Sequence, residues 1–328
     1  MTTIALLPDA STPLDHATAD AAFADLLDGK ATQEDAVRFL STLTERDETS
    51  IEIAAAARAM RARMVTIAAP PGTIDVCGTG GDHSHSLNIS TAVAIVVAAC
   101  GVPVAKHGNR AATSKAGAAD TLEALGLDLT RTAARAEESL AELGIAFLFA
   151  QAHHPSMARL APVRRAIPRR TIFNLIGPLA NPARVTRQLI GLARPDYATT
   201  YAEALTLLGS ESAMVVAGDE PLDELSIAGP STTVRIGTCG AGETRIVPED
   251  AGLHRHPLGS LRGGDAAHNA AALRRLLLGE TGAYRDAVLL NAAAALIVAG
   301  HATGWIEGVE EAAEALDNGL ANALLDCW

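Results

Sequence analysis

From about Pro13 to Met64 the apolar residues recur at helical spacing: Val37, Leu40 and Leu43 in one stretch, then Ile53, Ala57, Met60 and Met64 in the next. The pattern predicts packed helices and no strand. Thr49-Ser50-Ile51-Glu52 has the order of a capping box, which predicts the start of a helix there, and Pro70-Pro71-Gly72 punctuates the end of the region. Beyond it the pattern changes. Short apolar runs at Ile74–Cys77, Val102–Ala105, Ile145–Phe149 and Ala213–Ala217 alternate with longer alanine-rich helical patterns, which predicts a mostly parallel α/β sheet. Thr233–Ile236 and Thr244–Val247, joined across Gly237–Glu243, predict an antiparallel hairpin. The expected fold class is therefore α/β: a small all-helical N-terminal domain and a large α/β domain with a mostly parallel central sheet.

Composition bounds the function. A chain of 328 residues, 48% hydrophobic and 20% charged, can bury one large core or one large and one small core. A net charge of −12 and a pI near 5.3 argue against a nucleic-acid or membrane-surface partner, so any anionic substrate must be held by local groups. Cys77, Cys100, Cys239 and Cys327 lack C-x-x-C spacing, as expected of reduced thiols in a cytoplasmic protein. No signal-peptide pattern is visible. The longest apolar runs, Ala92–Ala105 and Ala287–Gly300, are short or interrupted by Gly101, Pro103 and Asn291, whereas a membrane span needs about 20 apolar residues.

The chemistry concentrates between Asp75 and Leu125. Gly78, Gly80 and Gly81 follow the first strand candidate at once, leaving backbone N–H groups free to approach an anion. Asn88-Ile89-Ser90-Thr91 precedes the apolar helix-like segment Ala92–Ala99, with Ser90 or Thr91 as the expected N-cap and the positive helix end beside the glycine turn. Lys106-His107-Gly108-Asn109-Arg110 follows the next strand candidate, at the sheet edge where ligands of open parallel sheets sit. Gly78-Thr79-Gly80-Gly81-Asp82-His83 starts like a dinucleotide fingerprint but has His83 in place of the third glycine, and no G-x-x-x-x-G-K-[ST] string occurs. What remains is a paired anion site without a standard motif.

GTGGD, NIST, KHGNR and the A-D-T-L-E-A-L-G run, taken with Arg170-Thr171-Ile172-Phe173-Asn174 and Gly177-Pro178-Leu179-Ala180-Asn181-Pro182, resemble the anthranilate phosphoribosyltransferase family. Leu222-Asp223-Glu224, Gly263-Gly264 with Asn269-Ala270, Val288–Ala293, and Glu52-Ile53 with Ala59-Met60-Arg61 extend the resemblance over nearly the whole chain. It implies transfer of a phosphoribosyl group from phosphoribosyl pyrophosphate to the amine of anthranilate. It also implies a division into residues 1–70 with about 152–174 as the helical domain, and 71–151 with 175–328 as the α/β domain, the site lying in the cleft between them.

By the same resemblance, Gly78, Gly81, Asp82 and Ser86 with Asn88, Ile89, Ser90 and Thr91 hold phosphoribosyl pyrophosphate. So do Lys106, His107, Gly108, Asn109, Arg110, Ala111, Ala112, Thr113, Ser114 and Ala118. Gly78, Asn109 and Arg164 are implied to place anthranilate; Ser90, Asp223 and Glu224 are implied to hold Mg²⁺, and a homodimer through the helical domain is implied too. From the residues alone Asp223-Glu224 reads as a surface acid pair, which only the resemblance lifts to a metal site, and Arg164 could be one more arginine on a helix face. No general acid or base is assigned. Departures from the family pattern fall at His83, at Asp219-Glu220-Pro221, and in the alanine-rich second loop. A nucleic-acid-binding, non-catalytic relative of the same fold and a pyrimidine nucleoside phosphorylase are the two alternatives.

Overall fold

The computed structural model describes residues 5–111, 115–220 and 222–328; the expected phosphate contacts at Ala112, Thr113 and Ser114 lie outside them. Three helices open the chain, His16–Leu27, Gln33–Glu45 and Ser50–Arg61. The last starts with the expected capping box: the Thr49 hydroxyl accepts from the Glu52 N–H (3.3 Å) and the Glu52 carboxylate accepts from the Thr49 N–H (2.9 Å).

Seven strands follow: β1 (Ile74–Gly78), β2 (Val104–Gly108), β3 (Ile145–Phe149), β4 (Arg187–Gly191), β5 (Ser212–Gly218), β6 (Ser231–Gly237) and β7 (Gly242–Ile246). They form one sheet in the order β3-β2-β1-β4-β5-β6-β7, parallel from β3 to β5 and antiparallel in the closing hairpin. The α/β class is as expected, but three details differ. The second strand starts at Val104 because Pro103 precedes it, and it runs on through Lys106 and His107, which pair with Phe147 and Leu148. β4 was not anticipated, since Arg187 and Gln188 hide a strand with only three apolar-or-glycine positions after them. The hairpin is shifted, so that Gly242 belongs to β7 and Val247 does not.

Both faces of the parallel part of the sheet are covered, which explains why most of its strands read as continuous apolar runs, whereas β7 is exposed. In β4 and β5, Leu189, Met214 and Val216 face one core with the helices Ile89–Ala99 and Ala283–Ala299, while Ile190, Ala213, Val215 and Ala217 face the other. That is the two-residue period of a strand. The second core is continuous with the N-terminal helices through Phe23, Phe39 and Ile53, and with Leu160, Val163 and Ile172 of the later helical segment.

Glu52 organises that helical layer. It is fully buried and accepts from the Leu14 N–H (2.9 Å), the Thr49 N–H and the Arg46 guanidinium, donors that outweigh the upward push of burial and leave its pKa below the ordinary carboxylate range. Removing one partner of such a pair leaves a buried charge uncompensated. We predict that Glu52→Ala lowers unfolding free energy by about 3–5 kcal/mol, read as an earlier midpoint in urea; an unchanged midpoint would contradict this role.

Candidate functional site

The chain runs from β1 out to β2 and β3 and then returns to β4 on the other side of β1, so the β1/β4 boundary is the topological switch point. The glycine turn leaves β1 here, with Gly80 and Gly81 at φ +70° and +72°, a conformation that costs glycine nothing. Gly78 and Gly191, paired across β1 and β4, are both pressed against Asp223: a Cβ on the first would overlap the carboxylate, and on the second the carbonyl. The Gly80 N–H donates to Asp223 Oδ2 (2.7 Å), and the Arg170 guanidinium donates to the Gly80 carbonyl. His83 takes the left-handed conformation a glycine would, φ +60°, and His85 follows at +52°. The turn therefore keeps a glycine-like path at a small steric cost.

Carboxylates gather beside it. Asp82, Asp223 and Glu224 act on one another through space; burial first and then Asp82 push Asp223 up to about 7, and burial and then Asp223 push Glu224 well above the carboxylate range. Asp82 Oδ1 accepts from the Ser84 N–H (3.2 Å), while its Oδ2 is buried without a partner. Lys106 is only 2% exposed and donates to the Val76 carbonyl (2.8 Å) and the Ser90 hydroxyl (3.1 Å). It opposes the upward push on both Asp75 and Glu224. Hard oxygen donors and an orphaned carboxylate oxygen suit a small divalent cation such as Mg²⁺, whose charge would relieve the repulsion that drives Asp223 and Glu224 toward protonation.

His107 ties β2 to the Gly177–Pro182 segment. Its N–H donates to buried Asp75 (3.0 Å), and its Nδ1 faces the Gly177 carbonyl at 3.1 Å. A carbonyl only accepts, so Nδ1 carries the proton and Nε2 receives one from His154 Nε2, 3.1 Å away. Burial lowers the two rings to about 3 and about 4. Asn181 donates to the Ala105 carbonyl and Gln188 to that of Pro178 (2.8 and 2.7 Å), fastening the same segment to the sheet. His154 was not singled out as a site residue. Its only sequence signal is its place beside His153 after the β3 run.

The helix Ile89–Ala99 starts at the switch point, and its N-cap is Asn88, not Ser90 or Thr91. Asn88 holds the non-helical backbone (φ −73°, ψ 74°), whereas Ser90 and Thr91 already lie in the first turn. Its side chain makes no cap bond. It bridges outward, donating to Ala116 O (3.3 Å) and accepting from Thr121 (2.5 Å) and Asn269 (2.9 Å). Ile89 is buried, and the Thr91 hydroxyl is buried without a partner. Ser86 pairs with Arg262 in an isolated bridge that braces the turn from behind.

Beyond β2 the cations differ from expectation. Arg110 is exposed and its guanidinium is engaged by Asp120 (2.9 Å) and Glu123 (2.5 Å), so it is no free charge at the strand end. Asp120 also accepts from the Ala111 and Gly117 N–H groups, closing the loop on itself. The Asn109 side chain accepts from the Arg110 N–H, and Gly108 leaves no room for a Cβ between the Phe147 ring and Ala118. Arg164 lies on the helix Met157–Ala166; among the described residues its guanidinium has no hydrogen-bond or ion-pair partner, and its desolvated surroundings lower its pKa. No hydrogen bond joins it to Gly78 or Asn109 among those residues.

Two family models match, the glycosyl transferase family helical bundle domain over residues 9–64 and the glycosyl transferase family a/b domain over residues 70–322. The chain is similar to the anthranilate phosphoribosyltransferase of Novosphingobium aromaticivorans, 64% identical over 98% of each chain. Among solved structures it is similar to the Thermus thermophilus enzyme of that name, with a TM-score of 0.92 and 43% identity over 97% of this chain and 95% of that one. It is also similar to the Saccharomyces cerevisiae enzyme in complex with PRPP and Mg, with a TM-score of 0.84 and 28% identity over 97% and 92%.

Two outcomes follow from the geometry. Because both histidines are depressed below their ordinary 6.5, the unfolded chain binds protons that the folded one refuses. Their contribution is complete above pH 6.5 and is lost as pH falls toward 4 and 3, on the order of 1–2 kcal/mol per ring by about pH 5. Asp223 and Glu224, whose pKa values are raised, act in the opposite sense over the same range, so the histidine contribution is read as a difference: between about pH 7.5 and 5 the thermal midpoint of the parent should fall more, or rise less, than that of His154→Gln, which keeps a donor toward His107; parallel pH profiles would exclude His154 as a source. Separately, Gly191→Ala should displace the Asp223 backbone and abolish divalent-cation binding, seen by calorimetry against the parent chain.

Proposed function

The chain belongs to the anthranilate phosphoribosyltransferase family, and we propose on that footing that it transfers the phosphoribosyl group of 5-phosphoribosyl 1-pyrophosphate to the amine of anthranilate. The products are N-(5-phosphoribosyl)anthranilate and pyrophosphate, and the step belongs to tryptophan biosynthesis. The observation that carries this at the level of atoms is the meeting, at one switch point, of a glycine turn and an unneutralised acidic group. The relatives support neither a pyrimidine nucleoside phosphorylase nor a non-catalytic nucleic-acid binder.

Mg²⁺ is the cofactor, and Asp223, Glu224 and the Ser90 hydroxyl are the oxygen donors that would hold it. When bound it supplies positive charge to the pyrophosphate oxygens as they separate from the sugar. The chain's own groups do the remainder. The Gly78–Asp82 turn and the start of the Ile89–Ala99 helix offer N–H groups to the phosphates, and the β2 edge from Lys106 to Ala111 closes the other side. As the C1–O bond to pyrophosphate breaks, the sugar gains oxocarbenium character, and the aromatic amine forms the C1–N bond and then releases a proton. An aromatic amine is a weak nucleophile, so holding it beneath C1 carries much of the rate, and positioning of this kind is worth about 7–11 kcal/mol. Arg164, partly desolvated and without a partner among the described residues, is suited to grip the anthranilate carboxylate, a role it would share with Gly78 and Asn109. His107 and His154 are kept neutral and hydrogen-bonded, which suits a scaffold and not a base.

The site is read as the cleft between residues 1–70 with about 152–174 and residues 71–151 with 175–328. Its working form is read as a cytoplasmic homodimer through the helical domain that binds no nucleic acid. The family resemblance supports the cleft and the homodimer, and the acidic net charge of −12 argues against a nucleic-acid partner. No helix among the described residues is long and apolar enough to cross a membrane.

Anthranilate fluorescence should fall steadily when protein, phosphoribosyl pyrophosphate and Mg²⁺ are combined, and an unchanging signal under every condition would overturn the assignment. In the same assay Arg164→Ala should raise KM for anthranilate about tenfold to a hundredfold while KM for the sugar substrate stays near that of the parent.

A further inference from the structure

We propose that Arg170 is a positioning residue that sets the orientation of the Gly80–Gly81 peptide, and through it the anion-binding face of the glycine turn. The proposal rests on the phosphoribosyl-transfer assignment for what that face holds.

Arg170 comes from the segment that the helical layer anchors. Ile167, Ile172 and Phe173 on either side of it are buried in the core shared with the N-terminal helices, and Arg169 pairs with Glu45 at 2.9 Å. The Arg170 backbone is thus fixed by one part of the molecule while its side chain reaches another. Its guanidinium donates to the Gly80 carbonyl and lies flat enough against Gly81 that a Cβ there would run into it. It has no carboxylate partner among the described residues.

A trans peptide places its carbonyl and its N–H on opposite sides. With the Gly80 carbonyl held by Arg170, the N–H of Gly81 is turned away from the guanidinium. The preceding N–H, that of Gly80, is occupied by Asp223 Oδ2 at 2.7 Å. Among the described residues the N–H groups of Gly81, Asp82 and His83 have no acceptor in the chain. Successive free N–H groups in a left-handed turn form a concavity that takes an anion oxygen. Gly80 and Gly81 both sit at positive φ, where glycine moves between conformations at little cost. A turn of two such residues does not hold one peptide orientation by itself. Asp223 and Arg170 hold it from its two ends, and the second of these is supplied by the helical layer.

The test uses the full chain with Arg170→Ala and Arg170→Lys. For Arg170→Ala, KM for phosphoribosyl pyrophosphate and the dissociation constant for pyrophosphate should each rise about tenfold to a hundredfold, the loss expected of one charge-assisted hydrogen bond. KM for anthranilate and the unfolding midpoint should stay near the parent values. Arg170→Lys, which keeps one donor, should recover part of the loss, and millimolar methylguanidinium should recover part of it in the alanine variant. Should the alanine variant not fold, the lysine variant carries the same comparison, with a smaller rise in the two phosphate-dependent constants. Unchanged phosphate-dependent constants in an active parent would overturn the proposal, as would an equal loss toward both substrates with no recovery by methylguanidinium. A parent chain that makes no product would instead overturn the transferase assignment.

Discussion

The burial of one ammonium group governs the architecture of the site. Lys106 sits inside β2 at 2% exposure, where an uncompensated charge would be prohibitive. A backbone carbonyl and the Ser90 hydroxyl take two of its three donors, and the carboxylates of Asp75 and Glu224 lie within its field. Asp75 lies near the start of β1 and Glu224 near its carboxyl end, and there the compensation overshoots. Glu224 also faces Asp223 and Asp82, so the local balance stays negative and both members of the pair are driven toward protonation. The same imbalance makes a divalent cation and an anionic sugar favourable occupants together where neither alone would settle the charge.

Much of this architecture is legible in the amino-acid sequence. The helical N-terminal region, the capping box at Thr49, four of the five parallel strands and the closing hairpin follow from spacing and turn chemistry. β4 did not, because its first two residues are Arg187 and Gln188. Their polar ends are taken up by the Val298, Ala299 and Pro178 carbonyls and by Glu211, partners that lie far away in sequence or carry no local pattern. The glycine turn and the Lys106 strand end were readable as anion-seeking chemistry. The ion pairing of Arg110 was not, since Asp120 and Glu123 reach it only after the chain has turned into the next helix. Nor was the pairing of His107 with His154, which depends on two strands being neighbours.

Glycine serves two different ends in this site. At Gly80 and Gly81 it supplies a left-handed backbone, whereas at Gly78 and Gly191 it supplies empty space through which the Asp223 segment passes. Only the first use has a signature in the local sequence. The second is a property of the sheet register, in which Gly78 and Gly191 stand side by side.

The continuity of the second core has a mechanical consequence. Phe23, Phe39 and Ile53 of the N-terminal helices belong to the same packed cluster as Ile190, Val215 and Val234 on the sheet. Two bodies joined by a thin linker can swing apart, but two bodies joined by an interdigitated apolar surface would have to expose it to do so. Sliding of the helical layer along the sheet, the shear class of motion, keeps that surface covered where hinge opening would not.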